Sequence, residues 1–448
     1  MQIAGPSAND APLGLKWRCS SGFTTLIVGL GIATDLLVYS IIIPVIPFQL
    51  ELLGYNSVSA RTAWLLFAYS AGLVVATIPI AMLTERYNTR RSPLIGGLII
   101  LIAPNYAVMC ISRVLQGFGS TMVWVVGLAL LCYSTPEKYI GRKLGLTMSG
   151  LAIGFLAGPP IGGALYSRFG FRGPFIFGII VSIFDLIGRL LIIERKDALR
   201  WNVDPAADVT APQDRAPVEE KAVEGPIAPN GTETPPAESL RPVRISLLGV
   251  IGKLCKSSRA VVVIAGTFLY GSQEPTLTLH LQSVWNLNST KVGLIYLAGV
   301  VPTLFSAPIA GWYTDHKGVE WIMFLSITLA LPWWILMILQ HSLALFIVSY
   351  ALSFFFLSGM LSPIMAELAA VARGIEGVGY GHVYGAFNLV YGIGAFMMYD
   401  HLERGWLAIT LLASGLLVLT LVLAFCYTGD DPMLAKLTSR LRNHHVDP

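Results

Sequence analysis

The chain has 448 residues, of which 54% are hydrophobic and only 12% charged, with a mean hydropathy of +0.67. A soluble domain carries about 25% charged residues, so this composition excludes a chain that covers itself for water. The net charge of +4 is small and comes from the flanks of apolar runs, which says nothing for nucleic acid, and the five cysteines stand singly, without metal spacing or a disulfide framework.

Apolar runs long enough to cross a hydrocarbon core of about 30 Å recur along the chain. Twelve spans are expected, at 22–47, 63–83, 93–110, 112–133, 144–166, 173–194, 259–281, 291–313, 320–340, 343–366, 382–399 and 405–427. Alternating segments of the kind that build a transmembrane barrel are missing. The first 20 residues are polar, so the first span itself is expected to direct insertion.

The domain plan follows in order. Residues 1–21 form an N-terminal tail, 22–194 a six-helix half, 195–258 a linker, 259–427 a second six-helix half and 428–448 a C-terminal tail. The linker is rich in Pro, Ala and Glu and has no apolar face, so it reads as largely disordered. Lys and Arg concentrate in "ERYNTRR", "EKYIGRK", "ERKDALR", "GKLCKSSR" and "KLTSRLRNHH". The opposite loops carry only Arg61, Arg168, Arg172, Lys291 and Arg404. This bias puts both tails and the linker in the cytosol. Asn288, in Asn288-Ser289-Thr290, then lies in an outside loop where it can be glycosylated, whereas Asn230 in the linker cannot.

The chemistry-bearing residues come next. In "GLAIGFLAGPPIGG", Gly150, Gly154, Gly158 and Gly162 recur every fourth residue, with Pro159, Pro160 and Gly163 among them. Small residues four apart share a helix face and let another backbone approach closely in lipid. Asp35 sits inside the first span, where a charge is costly and therefore functional by default. A carboxylate in low dielectric exchanges protons near neutrality. Arg113 and Gln116 lie in the fourth span, and a buried arginine needs a partner, for which Asp35 is the candidate. Glu274 falls early in the seventh span, with His280 near its outer end. Asp185 and Arg189, four apart in the sixth span, share a face and are expected to form a structural ion pair, with Arg189 near enough to the cytosol to snorkel. Glu367 stands near the cytosolic end of the tenth span and Asn388 inside the eleventh.

The six-plus-six plan with a cytosolic linker resembles the major facilitator superfamily, an all-α polytopic membrane fold of twelve helices in two halves around a central cavity. The stripe G-x3-G-x3-G-P-P-x-G-G is similar to the fifth-span signature of drug:proton antiporters. "GIATDLLVYSIIIPVIP" and "GSQEPTLTLHL" resemble the first and seventh spans of vesicular amine transporters and their fungal efflux relatives, and "ISRVLQGFGS" matches the fourth-span R-x-x-Q-G pattern. The resemblance implies that Asp35, Arg113, Gln116, Glu274, Glu367 and Asn388 serve proton coupling or the cavity. It also makes the glycine stripe a face along which helices slide or seal. "AMLTERYNTRRSP" is a degenerate form of the superfamily's cytosolic gating loop, keeping Arg86, Arg90 and Arg91 with Glu85 in place of Asp. Its second-half equivalent "AGWYTDHKGVEW" keeps Gly311 and Asp315. Asn388 and Ala370 stand where the amine transporters carry acids, which argues against monoamines. The segment "YGIGAFMMYD" lacks the family's G-P-x-x-G, and spans three and eleven look short.

The resemblance therefore implies a proton-driven antiporter that exports a small amphipathic organic molecule, a drug or fungal secondary metabolite. It is expected to be a monomer in the plasma membrane, or in a vacuolar or vesicular one, with the proton gradient in place of a cofactor. The rivals are a nutrient uniporter or symporter and, given the short spans, a transport-defective scaffold or sensor. With no metal cluster and no nucleophile–base pair in view, an enzyme is not expected.

Overall fold

In the computed structural model, residues 12–43, 45–56, 58–87, 106–207, 247–271, 280–281, 284–287, 289–339, 342–400 and 406–444 are described. Among them every regular element is helical. In the first half α1 is Ser21–Ser40, α2 Val45–Leu52, α3 Val58–Tyr87, α4 Tyr106–Thr121, α5 Gly127–Tyr133, α6 Ile140–Phe169 and α7 Arg172–Leu191. In the second, α8 is Leu247–Lys256, α9 Ser258–Gly271, α10 Ser289–Lys317, α11 Val319–Leu336, α12 Leu343–Gly359, α13 Leu361–Gly374, α14 Tyr380–Asp400, α15 Trp406–Tyr427 and α16 Met433–His444. Eight helical stretches among the described residues have the length and hydropathy to cross a membrane; the shorter apolar helices Phe67–Met82 and Ser258–Phe268 belong to α3 and α9.

Several expected boundaries move. The first span ends at Ser40 rather than 47, and α2 starts afresh at Val45. Between them stands Pro44, which has no amide donor to carry a helical ladder through. Residues 106–110, assigned above to span three, begin α4 instead, and residues 88–105 lie outside the description. The tenth span reaches Gly374 rather than 366, with a step at Met360 between α12 and α13. Span eleven is not short: α14 has 21 residues, about 31 Å at the usual helical rise. The linker is helical at its two ends. Arg195–Ala198 forms a helical turn held by two Arg195–Asp204 hydrogen bonds of 2.8 and 2.7 Å, and α8 occupies 247–256. Residues 208–246 lie outside the description.

Lipid-facing apolar side chains remain exposed, as on α7, where Ile180, Phe184 and Ile187 point outward. The buried face of α7 instead holds Gly178, Asp185 and Arg189. Polar residues turned inward and apolar residues turned outward are what a helix in lipid requires.

Candidate transport site and cytosolic latch

The site is built on one stripe of α4. Arg113, Gln116, Ser120 and Trp124 follow at intervals of three, four and four, so they line one face. After Thr121 the helix widens into a π turn over Met122–Val126 before α5 resumes, a distortion common where a side chain must be re-aimed. Trp124 lies in that turn. On α1, Asp35 Oδ2 accepts from Ser120 Oγ at 2.7 Å and from Trp124 Nε1 at 3.1 Å. Tyr69 of α3 donates its hydroxyl to Ser120 Oγ at 2.7 Å, completing a chain from Tyr69 through Ser120 to Asp35.

Arg113 takes a different place from the one expected. It is 3% exposed, donates to Gln116 Oε1 at 2.8 Å and lies 5.6 Å from the Tyr39 ring centre. Tyr39 in turn sits 4.6 Å from Tyr69. Asp35 is held by Ser120 and Trp124, not by Arg113, because Arg113 lies seven residues back from Ser120, about 10 Å along the helix. Two tyrosines and a serine bridge the gap.

Asp185 and Arg189 do pair, Nε to Oδ2 at 2.6 Å. Arg189 is 5% exposed, so it does not snorkel but turns inward against Gly31 of α1, where a Cβ would overlap its guanidinium. Asn388 of α14 is 2% exposed and donates to Thr77 of α3 at 3.0 Å and Thr121 of α4 at 3.3 Å. Those two hydroxyls donate to the Leu73 carbonyl. Asn388 is thus a neutral tie between the halves, one residue along from Ser120.

Glu367 lies elsewhere. Its carboxylate takes two bonds from Arg259 of α9, at 2.5 and 3.0 Å, and one from the Gly429 amide at 3.3 Å, while Asp430 shares the same guanidinium. This clasp ties α9 and α13 to the start of the C-terminal tail and holds Glu367 at 1% exposure. His280 stacks on Trp406 at 4.0 Å with Trp285 and Phe346 around it, an aromatic cage remote from Asp35. Glu274, Asn288, Arg90 and Arg91 lie outside the described residues, as do the side chains of Glu85 and Arg86 in the last turn of α3.

The glycine stripe meets α1. A Cβ at Gly150 would overlap the Gly29 carbonyl, at Gly154 it would stand 2.5 Å from the Ala33 carbonyl, and at Gly158 and Gly162 it would meet Ser40 and Ile41. Gly163 faces open space. Helix α6 runs unbroken through Pro159 and Pro160, and Ser40 Oγ donates to the Gly154 carbonyl across the contact at 3.1 Å. The stripe therefore seals α1 to α6 within one half rather than forming the seam between halves.

That seam is made lower on α6. Asp315, at the end of α10, accepts the backbone amides of Gly141 and Arg142 at 2.8 Å each. The first amides of a helix lack intrahelical partners and carry partial positive charge, so a carboxylate there is stabilised. Ser362 donates to the Gly141 carbonyl at 3.0 Å, and Gly145 and Gly311 let the two backbones touch. Arg373 pairs with Glu137 at 2.7 Å, and Cys132 Sγ lies 3.0 Å from the Tyr384 hydroxyl. These bonds between halves all fall on the side that carries the Lys/Arg-rich segments, so the seam is closed at that end.

Sequence reasoning missed Tyr69, Ser120, Trp124, Thr77 and Thr121. The signal for Ser120 and Trp124 was present, since both continue the Arg113–Gln116 spacing.

Two helical halves, a half-buried carboxylate on the first helix and a latch on one side define a multi-pass membrane transporter. A sequence model of the Major Facilitator Superfamily matches residues 28–273 and 259–446, and the chain belongs to that family. It is 25% identical over 348 residues to the MFS-type transporter ppzB of Metarhizium rileyi, covering 70% of each chain. Shorter matches are to the synaptic vesicular amine transporter of Rattus norvegicus, 32% over 140 residues (29% of this chain, 27% of that one), and to a multidrug resistance protein B homolog of Mycobacterium tuberculosis, 28% over 148 residues (32% and 27%). The crystal structure of the human organic anion transporter MFSD10 superposes with a TM-score of 0.68 at 16% identity, covering 90% of this chain and 99% of that one, a likeness of fold.

Proposed function

We propose that this chain is a proton-coupled antiporter that exports a small amphipathic organic molecule from the cytosol. The observation that carries the reading is Asp35, a carboxylate inside the first helix whose hydrogen-bond donors are a serine and an indole, not a cation. Such an acid, hydrogen-bonded in this conformation to neutral donors, is able to hold a proton. Tyr69 and Ser120 extend from it as hydroxyls able to pass a proton. A seam closed by Asp315, Ser362 and Arg373 on the Lys/Arg-rich side fits an outward-facing conformation, in which the acid is loaded from outside. Inward opening then delivers the proton to the cytosol and admits cargo.

The cargo class follows from what lines the site. Tyr39, Tyr69 and Trp124 offer aromatic faces, and the neutral Asn388 replaces an acid where a monoamine would need one. Names among the relatives that specify multidrug resistance agree with an amphipathic cargo, and the fungal relative agrees with a secondary metabolite. The 21 residues of α14 speak against one of the two short spans on which a transport-defective scaffold rests. We place the protein in the plasma membrane, acting as a monomer powered by the proton gradient.

The test is proton movement in proteoliposomes that carry a trapped pH dye, challenged with a panel of amphipathic aromatic compounds. Antiport predicts proton efflux or influx only when a compound moves the other way. Compound flux of equal size with and without a pH gradient overturns the reading.

A further inference from the structure

Beside Asp35 lies a second buried charge group that the coupling scheme above does not use. Asp185 and Arg189 of α7 share one hydrogen bond, Nε to Oδ2, with side-chain exposures of 11% and 5%. Their other two atoms, Asp185 Oδ1 and Arg189 Nη2, are buried and make no hydrogen bond among the described residues. A purely structural buried pair is stable when its remaining donors and acceptors are satisfied, and this one is not. Both idle atoms point to the same place. A Cβ on Gly31 would overlap Arg189 Nη2 and stand 3.1 Å from Asp185 Oδ1.

Gly31 is one helical turn from Asp35 on α1, on the same face, about 6 Å along the axis. Asp185 and Arg189 both act electrostatically on Asp35. Among the described residues, the other elements around α1 bring no further carboxylate to it. From α4 come Arg113, already on Gln116 and Tyr39, and the neutral donors Ser120 and Trp124; from α3 comes Tyr69. Helix α5 offers Cys132 and Tyr133 at its cytosolic end, engaged with Tyr384 and Tyr380. Helix α6 presents its glycine face, with Lys143 only as near as Gly22, 4.0 Å from a Cβ there.

We propose that Asp35, Arg189 and Asp185 form one proton-holding triad, in which a single guanidinium serves two carboxylates by turns. The inference rests on the proton-coupled reading of Asp35. With one cation and two acids, the cluster is neutral only when one acid carries a proton. When the O–H bond of Asp35 breaks and its proton leaves to water on the cytosolic side, the free Nη2 of Arg189 becomes the counter-charge to Asp35. When a proton from outside re-forms that bond, Arg189 returns wholly to Asp185. Arg189 and Asp185 are positioning residues for the proton on Asp35, and Gly31 is the gap through which the guanidinium reaches.

The test needs no cargo. Purified transporter in lipid nanodiscs is titrated between acid and alkaline pH while the infrared carbonyl band of protonated carboxylic acid is followed. The wild-type protein should lose one band that Asp35→Asn lacks. In Asp185→Asn, Arg189 has no other acid to serve, so the Asp35 band should be at least about fivefold weaker at the wild-type midpoint. Adding Arg189→Gln to that variant should bring the band back. If Asp185→Asn does not fold, Arg189→Gln alone serves, because two carboxylates without a cation should keep one proton and hold the band into alkaline pH. A thermal melt of each variant confirms the fold. An Asp35 band unchanged by Asp185→Asn, or by Arg189→Gln where that variant stands in, overturns the triad and leaves antiport standing. A wild-type band that survives Asp35→Asn removes the proton carrier and both ideas with it.

Discussion

Asp35 shows how much a single residue's role depends on its neighbours. Its donors Ser120 and Trp124 both fall on one oxygen, Oδ2. A hydrogen bond to a charged group contributes about 1.5–3 kcal/mol. Removing the indole donor with Trp124→Phe should therefore slow proton-driven transport by about tenfold or more while leaving the fold intact, as read from substrate-induced proton release in proteoliposomes and a melt in detergent. A wild-type rate in Trp124→Phe would show that the indole only packs. Asp35→Asn, which keeps the shape and loses the titratable proton, should abolish the proton movement altogether; residual pH-driven flux of wild-type size would move the coupling site elsewhere. Asp35, Arg113 and Gln116 were legible in the sequence because a charge in an apolar run is conspicuous. Ser120 and Trp124 were not, since a serine and a tryptophan in a membrane helix are ordinary, and their spacing gains meaning only once α1 is seen to cross that face. Glu367 misled for the opposite reason: its partner Arg259 is 108 residues away, a pairing that no local pattern predicts.

At the scale of elements, α6 carries two functions on two stretches. From Gly150 to Gly162 it fits α1; around Gly141 and Gly145 it fits α10 and α13. The same residue type can therefore be tested where a side chain clashes and where it does not. Gly154→Ala would set a methyl 2.5 Å from the Ala33 carbonyl and 2.7 Å from Leu36 Cβ, overpacking that costs about 1–3 kcal/mol. Gly163→Ala, on the same helix with nothing within 4 Å, should be neutral or stabilising by up to about 1 kcal/mol. Thermal melts of the two purified variants should move in opposite directions; equal shifts would mean that the stripe is not a close-packed face. The sequence announced this stripe clearly, but not its partner. Four glycines on one face say that a backbone comes near and not whose. Helix limits were likewise readable where apolar runs are clean. They failed where Pro44 interrupts the first span and where α4 starts at Tyr106, directly after the Pro104-Asn105 break inside the expected third span.

For the molecule as a whole, the contacts between halves include a polar set on the side of the Lys/Arg-rich segments, which inward opening has to break. Asp315 is the component best suited to a test, because it bridges the halves through charge and backbone amides and touches no residue of the Asp35 cluster. A carboxylate on a helix N-terminus contributes about 0.3–1 kcal/mol when exposed and up to about 2 kcal/mol when partly buried. Neutralising it with Asp315→Asn should therefore shift the population toward the inward-open state by about tenfold, since 1.4 kcal/mol is a factor of ten. Cys132 is a built-in reporter: it is 4% exposed and lies against Tyr384 of the opposite half. In a chain whose other cysteines, Cys19, Cys110, Cys255 and Cys426, are replaced by serine, a membrane-impermeant maleimide applied from the cytosolic face should label Cys132 about tenfold faster once Asp315 is neutralised. Opening has to part Cys132 from Tyr384, so the labelling rate follows the open population directly. Labelling at the wild-type rate would mean that Ser362, Glu137 and the packed glycines hold the seam without the charge, and that the latch is steric rather than electrostatic.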